Sequence, residues 1–284
     1  MSNAATTTGR APSVYVPSAE ALATVLAPGE RPARPSALSA SLTFGWRALL
    51  KIKHVPEQLF DVTAFPIIMV LMFTYLFGGA LADSPRDYLQ FFLPGIMVTS
   101  VVMITMYTGI GLNTDIEKGI FDRFRTLPVW RPAALAGMIF GDVLRYVLAA
   151  VVILGVGLVL GFRPDGGLMG VAAGIGLLVI FSFAFSWVWT FFGLVLRSEK
   201  SVMGVSMMVL FPLTFLSNVF VEPSTMPGWL QAFVKANPIT HLVAAVRAAM
   251  AGESDATNTM WLLLWSVGFV VVFGTLTMYR YNRR

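Results

Sequence analysis

The densest group of charged side chains in this sequence lies between Asp115 and Arg125. Six of these eleven residues carry a charge, although charged residues make up only 12% of the chain. Long apolar stretches flank the group on both sides. Carboxylate, ammonium and guanidinium groups form ion pairs and hydrogen bonds with a complementary surface in water. We therefore expect this segment to bind a partner.

No enzymatic motif accompanies the charged segment. A Walker A loop needs glycine directly before lysine so that backbone amides hold the phosphates, whereas Lys200-Ser201 follows Glu199. His54 and His241 lie far apart, HExxH is absent, and no cysteine is present for a disulfide or a thiolate metal site. We expect a chain that is not an enzyme and that binds no cofactor or metal of its own.

Two opposite charges, Asp142 and Arg145, lie inside an apolar stretch. At a spacing of three residues they face each other across one helical turn. Each alone costs roughly 2.5–3.5 kcal/mol at the centre of a membrane helix. One interpretation is a gate or relay for transport. The residues favour the other interpretation, a mutually neutralising pair near one end of the helix.

Membrane-spanning helices must position these groups. Hydrophobic residues make up 56% of the chain, and several apolar runs exceed the ~18 residues that indicate a spanning helix. A helix satisfies its own backbone hydrogen bonds within lipid. The sequence predicts six spans, at Leu59–Leu81, Leu89–Leu112, Leu135–Gly161, Leu168–Leu196, Val202–Val221 and Met260–Tyr279.

Lysine and arginine are distributed unequally between the two ends of these spans. Fifteen lie in the N-terminal tail, the second and fourth connections and the C-terminus, and four lie in the other connections. Cytoplasmic segments of membrane proteins are enriched in these residues. We therefore expect both termini in the cytoplasm, and we interpret the net charge of +5 as anchoring rather than as nucleic-acid binding.

The region before the first span divides into two parts. Residues 1–37 are rich in Ala, Thr, Pro and Ser and predict a disordered cytoplasmic tail, with the transmembrane domain at residues 38–284. Leu38–His54 predicts an amphipathic interfacial helix, in contact with membrane lipid. Basic flanking of the first span is the alternative. The polar stripe of this helix consists of Thr43, Arg47, Lys51 and His54.

The charged segment has helix signals of its own. Thr114 and Glu117 form a T-x-x-E capping box, which predicts that a short helix begins there. Pro128 ends the helix because it offers no backbone donor. A solvated connector is the alternative interpretation. The apolar face of the predicted helix consists of Ile116, Ile120, Phe124 and Leu127.

The connection before the last span predicts two short helices that enter the outer leaflet. Pro223, Pro227 and Gly228 interrupt the chain, and Asn237 can cap a new helix with Pro238 at its first position. Arg247 follows on this second helix. Possible roles are a cap of the helix end or an ion pair with Glu222 or Glu253. The apolar face of the second helix would consist of Ile239, Leu242, Val243, Val246 and Met250.

Two segments of the chain resemble ABC-2 type permeases, most closely the daunorubicin/doxorubicin-resistance permease group. Asn237-Pro238 followed by Arg247 resembles a segment that these permeases carry before their last span. Their loop between spans two and three reads E-x-G-x-x-(D/E)-R-(F/L)-R-(S/T)-(L/M)-P. The matching segment here is Glu117-Lys118-Gly119-Ile120-Phe121-Asp122-Arg123-Phe124-Arg125-Thr126-Leu127-Pro128.

The resemblance implies an all-α membrane protein with the six-helix ABC-2 (type V exporter) fold. Its parts would be an interfacial connecting helix, a cytoplasmic coupling helix and an outer re-entrant hairpin before the last span. Such a chain pairs with a second copy in a bacterial cytoplasmic membrane. Each copy docks a separate ATP-binding subunit, which holds ATP and Mg²⁺. The implied coupling residues are Asp115, Glu117, Lys118, Gly119, Asp122, Arg123 and Arg125, and those of the connecting helix are Arg47, Lys51 and His54.

A substrate path is expected along spans two and five, which are rich in methionine and phenylalanine. Such side chains make an adaptable apolar surface. Packing between helices or against lipid is the alternative for any one of them. The expected path residues are Met97, Met103, Met106, Asn113, Met207, Phe211, Phe215 and Asn218.

Three functions are compatible with this sequence. The first is an ABC-2 permease that exports a hydrophobic drug, natural product or lipid. The second is the same architecture exporting a lipid-linked polysaccharide, which aromatic stripes along a polar path would favour. The third is a carrier, channel or membrane enzyme that works without an ATPase.

Overall fold

A computed structural model of the protein describes residues 63–81, 84–120, 133–220 and 226–283, together with eight isolated positions between residues 18 and 60. Within these ranges every regular element is helical, as the predicted all-α class requires. The helices are α1 (Ala64–Leu81), α2 (Pro85–Ile104), α3 (Met106–Glu117), α4 (Ala133–Leu160), α5 (Gly167–Val195), α6 (Glu199–Phe215), α7 (Gly228–Ala236), α8 (Pro238–Ala251), α9 (Ala256–Phe269) and α10 (Thr275–Arg283), with a π-helical turn at Val270–Gly274 between the last two.

Four helical segments are long and apolar enough to cross a membrane. They correspond to the second, third, fourth and sixth predicted spans. The first of them combines α2 and α3, which are separated by a single turn residue, Thr105. The last combines α9, the π-helical turn and most of α10. The four segments are Pro85–Glu117, Gly137–Leu160, Gly167–Val195 and Ala256–Tyr281.

The first and fifth predicted spans are shorter than expected. The apolar part of α1 is Ala64–Leu76. Helix α6 has 17 residues, a rise of about 26 Å against a hydrocarbon core of about 30 Å. It begins before the predicted Val202, because the Ser198 side chain accepts a hydrogen bond from Ser201 N, and it ends at Phe215. The described residues thus support four full-length spans, with the shorter helices α1 and α6 at the places of the other two.

The predicted N-terminal elements lie largely outside the described residues. Of residues 1–37, only Ser18 and Ser36 are described, so the predicted tail stays a prediction. In the predicted interfacial helix, five described positions are helical. Gly45 is buried there, and a Cβ atom on it would lie 3.2 Å from the Phe140 ring on α4. The side chains expected to act in that helix, those of Arg47, Lys51 and His54, lie outside the described residues.

Helix α2 is central to the packing. Most of its residues from Tyr88 to Ile104 are buried, and it packs against α1, α4 and α8, while α3 packs mainly against α5. Two glycines permit the close approach of α3 and α5, because a Cβ atom on Gly109 or Gly193 would overlap the backbone of the other helix. Small residues at such crossings are typical of helix pairs in membranes.

Helices α7 and α8 form the expected pair before the last span. The Asn237 side chain accepts a hydrogen bond from Ile239 N with Pro238 at the first helical position, which confirms the predicted cap. Helix α8 ends at Ala251 and is capped by Gly252, whose φ of +79° favours glycine. Gly166 N, just before α5, donates to Met250 O at 2.9 Å and holds the end of α8 there. The predicted apolar face of α8 is buried, at Ile239, Leu242, Val243, Val246 and Met250.

The helix bundle has two ends, a charged end and a hairpin end. The charged end comprises residues 113–120, 193–200 and 280–283, where α3 meets the turn between α5 and α6. The hairpin end comprises residues 84–91, 161–170, 213–220 and 226–258, where α7 and α8 pack.

Candidate coupling and substrate-path sites

The helix of the second span continues into the charged segment. The capping box had predicted that a separate helix begins there. Helix α3 runs through Thr114 without interruption and ends at Glu117, followed by Gly119 with a φ of +64°. The Thr114 hydroxyl donates to Ile110 O, one turn back, at 2.8 Å instead of capping a new helix. The predicted helix start at Thr114 is therefore wrong, because a threonine hydroxyl satisfied within its own helix leaves no break in the backbone.

The described part of the expected coupling segment presents few charges to its surroundings. Asp115 is buried, with 4% of its surface exposed. Glu117 and Lys118 are exposed, and Gly119 is half-buried. Asp122, Arg123 and Arg125, together with the remainder of the predicted apolar face and Pro128, lie outside the described residues.

Asn113 joins the end of α3 to the end of α5. Its side-chain amide donates to Gly193 O at 3.0 Å and to Leu196 O at 2.9 Å. These carbonyls belong to the last turn of α5, where a helix leaves its acceptors without internal partners. Asn113 is 2% exposed, and its Oδ1 atom has no hydrogen-bond partner. Asn113 was expected to line a substrate path, and here it caps a neighbouring helix.

Thr114 extends the same junction to α6. Its hydroxyl lies 3.0 Å from Glu199 Oε2, in the first turn of α6. Asn113 and Thr114 thus contact both sides of the short turn between α5 and α6. We name these contacts, made by Asn113 and Thr114 with Gly193, Leu196 and Glu199, the polar junction. A displacement of the end of α3 would reach α5 and α6 through it.

The Asp142–Arg145 pair exists as predicted and belongs to a larger buried cluster. Arg145 Nη1 lies 3.1 Å from Asp142 Oδ1, yet neither Nη1 nor Nε of Arg145 makes a directed hydrogen bond. Asp142 Oδ2 accepts from the Thr108 hydroxyl at 2.6 Å, and Tyr146 Oη lies 3.5 Å from the same hydroxyl. The guanidinium also lies over the Tyr107 ring, 5.8 Å from its centroid. Helices α3 and α4 therefore share a polar cluster within the apolar interior.

The hairpin end contains a second capping asparagine. The Asn237 amide donates to Leu213 O at 2.7 Å and to Leu216 O at 2.8 Å. Together with the bond that Oδ1 accepts from Ile239 N at 2.9 Å, this side chain joins the end of α6 to the start of α8. Because the Asn237 amide bonds the carbonyls of Leu213 and Leu216, α6 stops at Phe215 instead of at the predicted Val221.

Arg247 on α8 contacts carbonyl oxygens instead of a carboxylate. Its Nε donates to Phe91 O at 3.2 Å and its Nη2 to Asn218 O at 3.3 Å. The guanidinium carbon lies 4.0 Å from the centroid of the Phe91 ring. The suggested ion pair with Glu253 does not form, and Glu222 lies outside the described residues. Arg247 instead ties α8 to α2 and to the segment after α6.

The structure separates the expected path residues into two groups. Met97, Met106, Asn113 and Asn218 are buried between helices, and Met103 is partly buried. By contrast Met207, Phe211 and Phe215 are 40%, 56% and 46% exposed. The exposed group lies along α6 and gives this helix an apolar face that the described residues of the same chain leave uncovered.

A series of contacting aromatic rings leads from this face into the bundle. Phe211 stacks on Phe215 with centroids 4.3 Å apart, and Phe215 stacks on Phe220 at 5.2 Å. Phe220 lies 5.3 Å from Phe73 on α1 and 5.9 Å from Phe92 on α2. The series therefore connects α6 with α1 and α2.

Comparison with known proteins identifies the family. The sequence profile of the ABC-2 type transporter family matches residues 40–251. The chain belongs to the ABC-2 type transporter family. Among its relatives is the daunorubicin resistance ABC transporter permease protein DrrB1 of Streptomyces coeruleorubidus, 54% identical over 263 residues that cover 93% of each chain.

More distant relatives extend the ABC-2 assignment. The probable doxorubicin resistance ABC transporter permease protein DrrC of Mycobacterium tuberculosis is 27% identical over 77% of this chain and 79% of its own. The inner membrane transport permease YadH of Escherichia coli is 24% identical over 73% of this chain and 80% of its own. The resemblance predicted from the charged segment and from Asn237-Pro238…Arg247 is thereby confirmed.

Some features of this ABC-2 chain carried no signal in its sequence. The amide of Asn113 meets carbonyls 80 and 83 residues further along the chain, and Phe73, Phe92 and Phe220 meet only in the folded bundle. Helix pattern and local spacing do not encode such contacts, because they depend on how distant helices pack. Polar residues in otherwise apolar helices, such as Asn113 and Thr108, were the available hint.

Proposed function

We propose that this chain is the permease subunit of an ATP-driven exporter that moves hydrophobic or amphiphilic compounds out of a bacterial cell. The observation that carries the proposal is the polar junction. It connects the start of the charged segment to α5 and α6, and α6 carries the exposed apolar face. A force applied to the charged segment from outside the membrane therefore has a direct route to the helix best suited to contact substrate.

The motor in this proposal is a separate subunit that binds ATP and Mg²⁺. The sequence of this chain contains no Walker A motif, and relatives are named as ABC transporter permeases. Two permease copies and two ATP-binding subunits would form the exporter. The exposed Glu117 and Lys118, continuing into Asp122, Arg123 and Arg125, would pair with charges on the ATP-binding subunit. Because Asp115 is buried, we assign it to the support of the helix end instead of to docking.

The proposed path lies between the two permease copies, along α6. Met207, Phe211 and Phe215 are exposed there, and exposed apolar faces of membrane helices contact lipid or another helix. Closure of the ATP-binding subunits would move α3, and the polar junction would turn α5 and α6 together. The connecting helix, with Arg47, Lys51 and His54, would add a second contact to the same subunit.

A hydrophobic or amphiphilic substrate fits this face better than a sugar chain. Stacking of a sugar needs free ring faces, whereas Phe211, Phe215 and Phe220 stack on one another. Relatives named for daunorubicin and doxorubicin resistance support the same class of compound. Export of a lipid-linked polysaccharide is the second candidate, and the one observation that favours it is the exposure of the Phe211 ring, at 56%.

Both termini are proposed to lie in the cytoplasm. The charged end then faces the ATP-binding subunit, and the hairpin end faces the outside. Fusion of a periplasmic-only reporter enzyme after Arg284 tests this orientation. We expect no reporter activity there, and activity when the reporter is inserted after Asp165 at the hairpin end.

Co-purification and reconstitution test the function. An ATP-binding protein with a Walker A motif should co-purify with this chain from the cells that produce it, and in proteoliposomes its ATP hydrolysis should rise when an exported compound is added. If no ATP-binding protein co-purifies, the exporter assignment is wrong.

Charge reversal tests the docking residues. Glu117→Lys or Arg123→Glu should weaken docking and ATP-driven transport without affecting membrane insertion. Asp165→Lys, an exposed charge reversal at the hairpin end, is the matched control and should leave docking intact. Normal docking and transport in both charged-end variants would remove Glu117 and Arg123 from this role.

A further inference from the structure

A groove of about 580 Å³ lies at the hairpin end, between α8, α9 and the outer part of α5. This volume falls within the range of pockets that hold drug-sized ligands. The groove is separate from the α6 face and from the polar junction. Its lining residues on α5, α8 and α9 are Leu177, Ala245, Ala249, Ala256, Thr259, Met260, Leu263, Leu264 and Val267.

The rim of the groove is acidic. Glu253, Ser254 and Asp255 complete its lining, and neither lysine nor arginine is among the lining residues. The apolar wall continues down α9 through Met260, Leu264 and Val267, which are 53%, 55% and 61% exposed. An occupant would therefore meet apolar surface along its length and negative charge at one end.

The carboxylate of Asp255 is held in place by its neighbours. Asn258 donates to it from both its side-chain amide, at 2.6 Å, and its backbone N, at 3.0 Å, and these bonds lower the pKa of Asp255 below its ordinary value. Asn258 Oδ1 in turn lies 2.7 Å from His241 Nδ1 on α8. The His241 ring stacks on Trp261. The Asp255 carboxylate is thus a fixed anionic feature of the rim at neutral pH.

We propose that this groove binds a monocationic amphiphile of drug size, with its apolar body against α9 and its cation at Glu253 and Asp255. Charge complementarity selects this occupant over an anionic phospholipid, because the described lining residues offer the phosphate of its headgroup no cation. This proposal depends on the proposed exporter function in one respect: the compound bound in the groove is taken to be one of the exported compounds. It adds to that function a second site, at the hairpin end of each copy, and a preference for positive charge.

Binding is measured on the full chain alone, in phosphatidylcholine nanodiscs without an ATP-binding subunit. The probes are dansyl-labelled dodecylammonium and the dansyl-labelled alcohol of the same chain length. Energy transfer from Trp261 to the dansyl group reports occupancy of the groove. The signal that is lost in the Trp261→Phe variant is the part that comes from Trp261. We expect the ammonium probe to bind more tightly than the alcohol.

The variants separate the charge effect from the shape of the groove. Glu253→Gln combined with Asp255→Asn, which keeps the helix cap, should weaken binding of the ammonium probe by about fivefold to tenfold and leave the alcohol unchanged. Asp87→Asn removes an exposed carboxylate from the same end outside the groove, and it should change neither affinity. Ala256→Leu fills the groove and should weaken binding of both probes.

Three results would overturn the proposal: equal affinity for the two probes, an unchanged ammonium affinity in the Glu253/Asp255 variant, or displacement of the probe by phosphatidylethanolamine but not by unlabelled dodecylammonium. The last result would assign the groove to a lipid. Since no ATP-binding subunit is present, failure here is distinct from failure of the exporter assignment. ATP-driven export with no groove binding would overturn this inference alone.

Discussion

Two buried asparagines cap neighbouring helices at opposite ends of the bundle, and they differ in how completely they are bonded. Asn237, at the hairpin end, donates to two carbonyls of α6 and accepts from Ile239 N. Asn113, at the charged end, donates to two carbonyls near the end of α5, but its Oδ1 atom has no hydrogen-bond partner. A buried acceptor without a donor costs about 1–3 kcal/mol.

Two arginines also differ in how completely they are hydrogen-bonded. Arg247, toward the hairpin end, donates to two carbonyls and lies over the Phe91 ring. Arg145 lies in the half of α4 toward the charged end, beside Asp142, and two of its nitrogens make no directed hydrogen bond. Unbonded buried polar atoms also occur at the hairpin end, at Asn218 Oδ1 and at the Tyr88 and Thr240 hydroxyls, so the comparison concerns the two capping asparagines and the two arginines.

The comparison indicates which end is built to move. The bonds of Asn237 and Arg247 fix α8 against α6 and α2, whereas the partly bonded Asn113 and Arg145 lose less when they rearrange. Asn113 lies at the charged end and Arg145 toward it, and the charged end is where the proposed ATP-binding subunit would dock.

Loss of the Asp142 carboxylate should have the largest effect on stability. Asp142→Asn leaves Arg145 buried without a counter-charge, and the free energy of unfolding should fall by about 3–5 kcal/mol. Chemical unfolding in mixed detergent micelles measures this change. Replacement of both Asp142 and Arg145 by leucine should restore most of the loss. An Asp142→Asn variant as stable as the parent would show that Arg145 already has another partner.

Loss of the Asn237 side chain should have the second largest effect on stability. Asn237→Ala leaves two carbonyls of α6 and the backbone N of Ile239 without partners, and the expected loss is about 3 kcal/mol. The same unfolding measurement applies. If this variant loses less stability than Asn113→Ala, Asn237 is not the more firmly bonded of the two asparagines.

Loss of Asn113 should destabilise the protein less than loss of Asn237. Asn113→Ala removes two hydrogen bonds but also removes the buried, unbonded Oδ1 atom, so the net loss should be about 1 kcal/mol. A loss near 3 kcal/mol would mean that Oδ1 is bonded in the membrane, and the contrast between the two asparagines would disappear.

Much of the hairpin end was predicted from the sequence, and less of the charged end. The cap at Asn237 and the buried face of α8 follow from local signals, a proline after asparagine and apolar residues at helical spacing. The capping box at Thr114 gave the wrong result, because the same residues also fit a continuous helix and only the packing of α3 on α5 decides between the two. The roles of Asn113 and Arg247 depend on carbonyls far along the chain, which no local pattern specifies.

The smallest effect concerns the acidic rim. The pKa of Asp255 in the folded protein is lowered, chiefly by the hydrogen bond from the Asn258 side chain. The carboxylate therefore stabilises the fold fully above the ordinary aspartate pKa of 3.8. This stabilisation is lost as the pH falls through the lowered folded value. The difference in unfolding free energy between the parent and Asp255→Ala should be constant near neutral pH and shrink as the pH falls from 3.8 through the lowered folded value. A difference that grows in acid would contradict the assigned hydrogen bonds.

The central claim, that force enters at the charged end through the polar junction, is tested most directly by the amount of compound exported per ATP hydrolysed. The measurement compares the parent with Asn113→Ala in proteoliposomes that contain the ATP-binding subunit. We predict that the subunit still co-purifies and still hydrolyses ATP, while export per ATP falls by about tenfold or more. An unchanged ratio in a variant that has lost its contacts with Gly193 and Leu196 would contradict the claim.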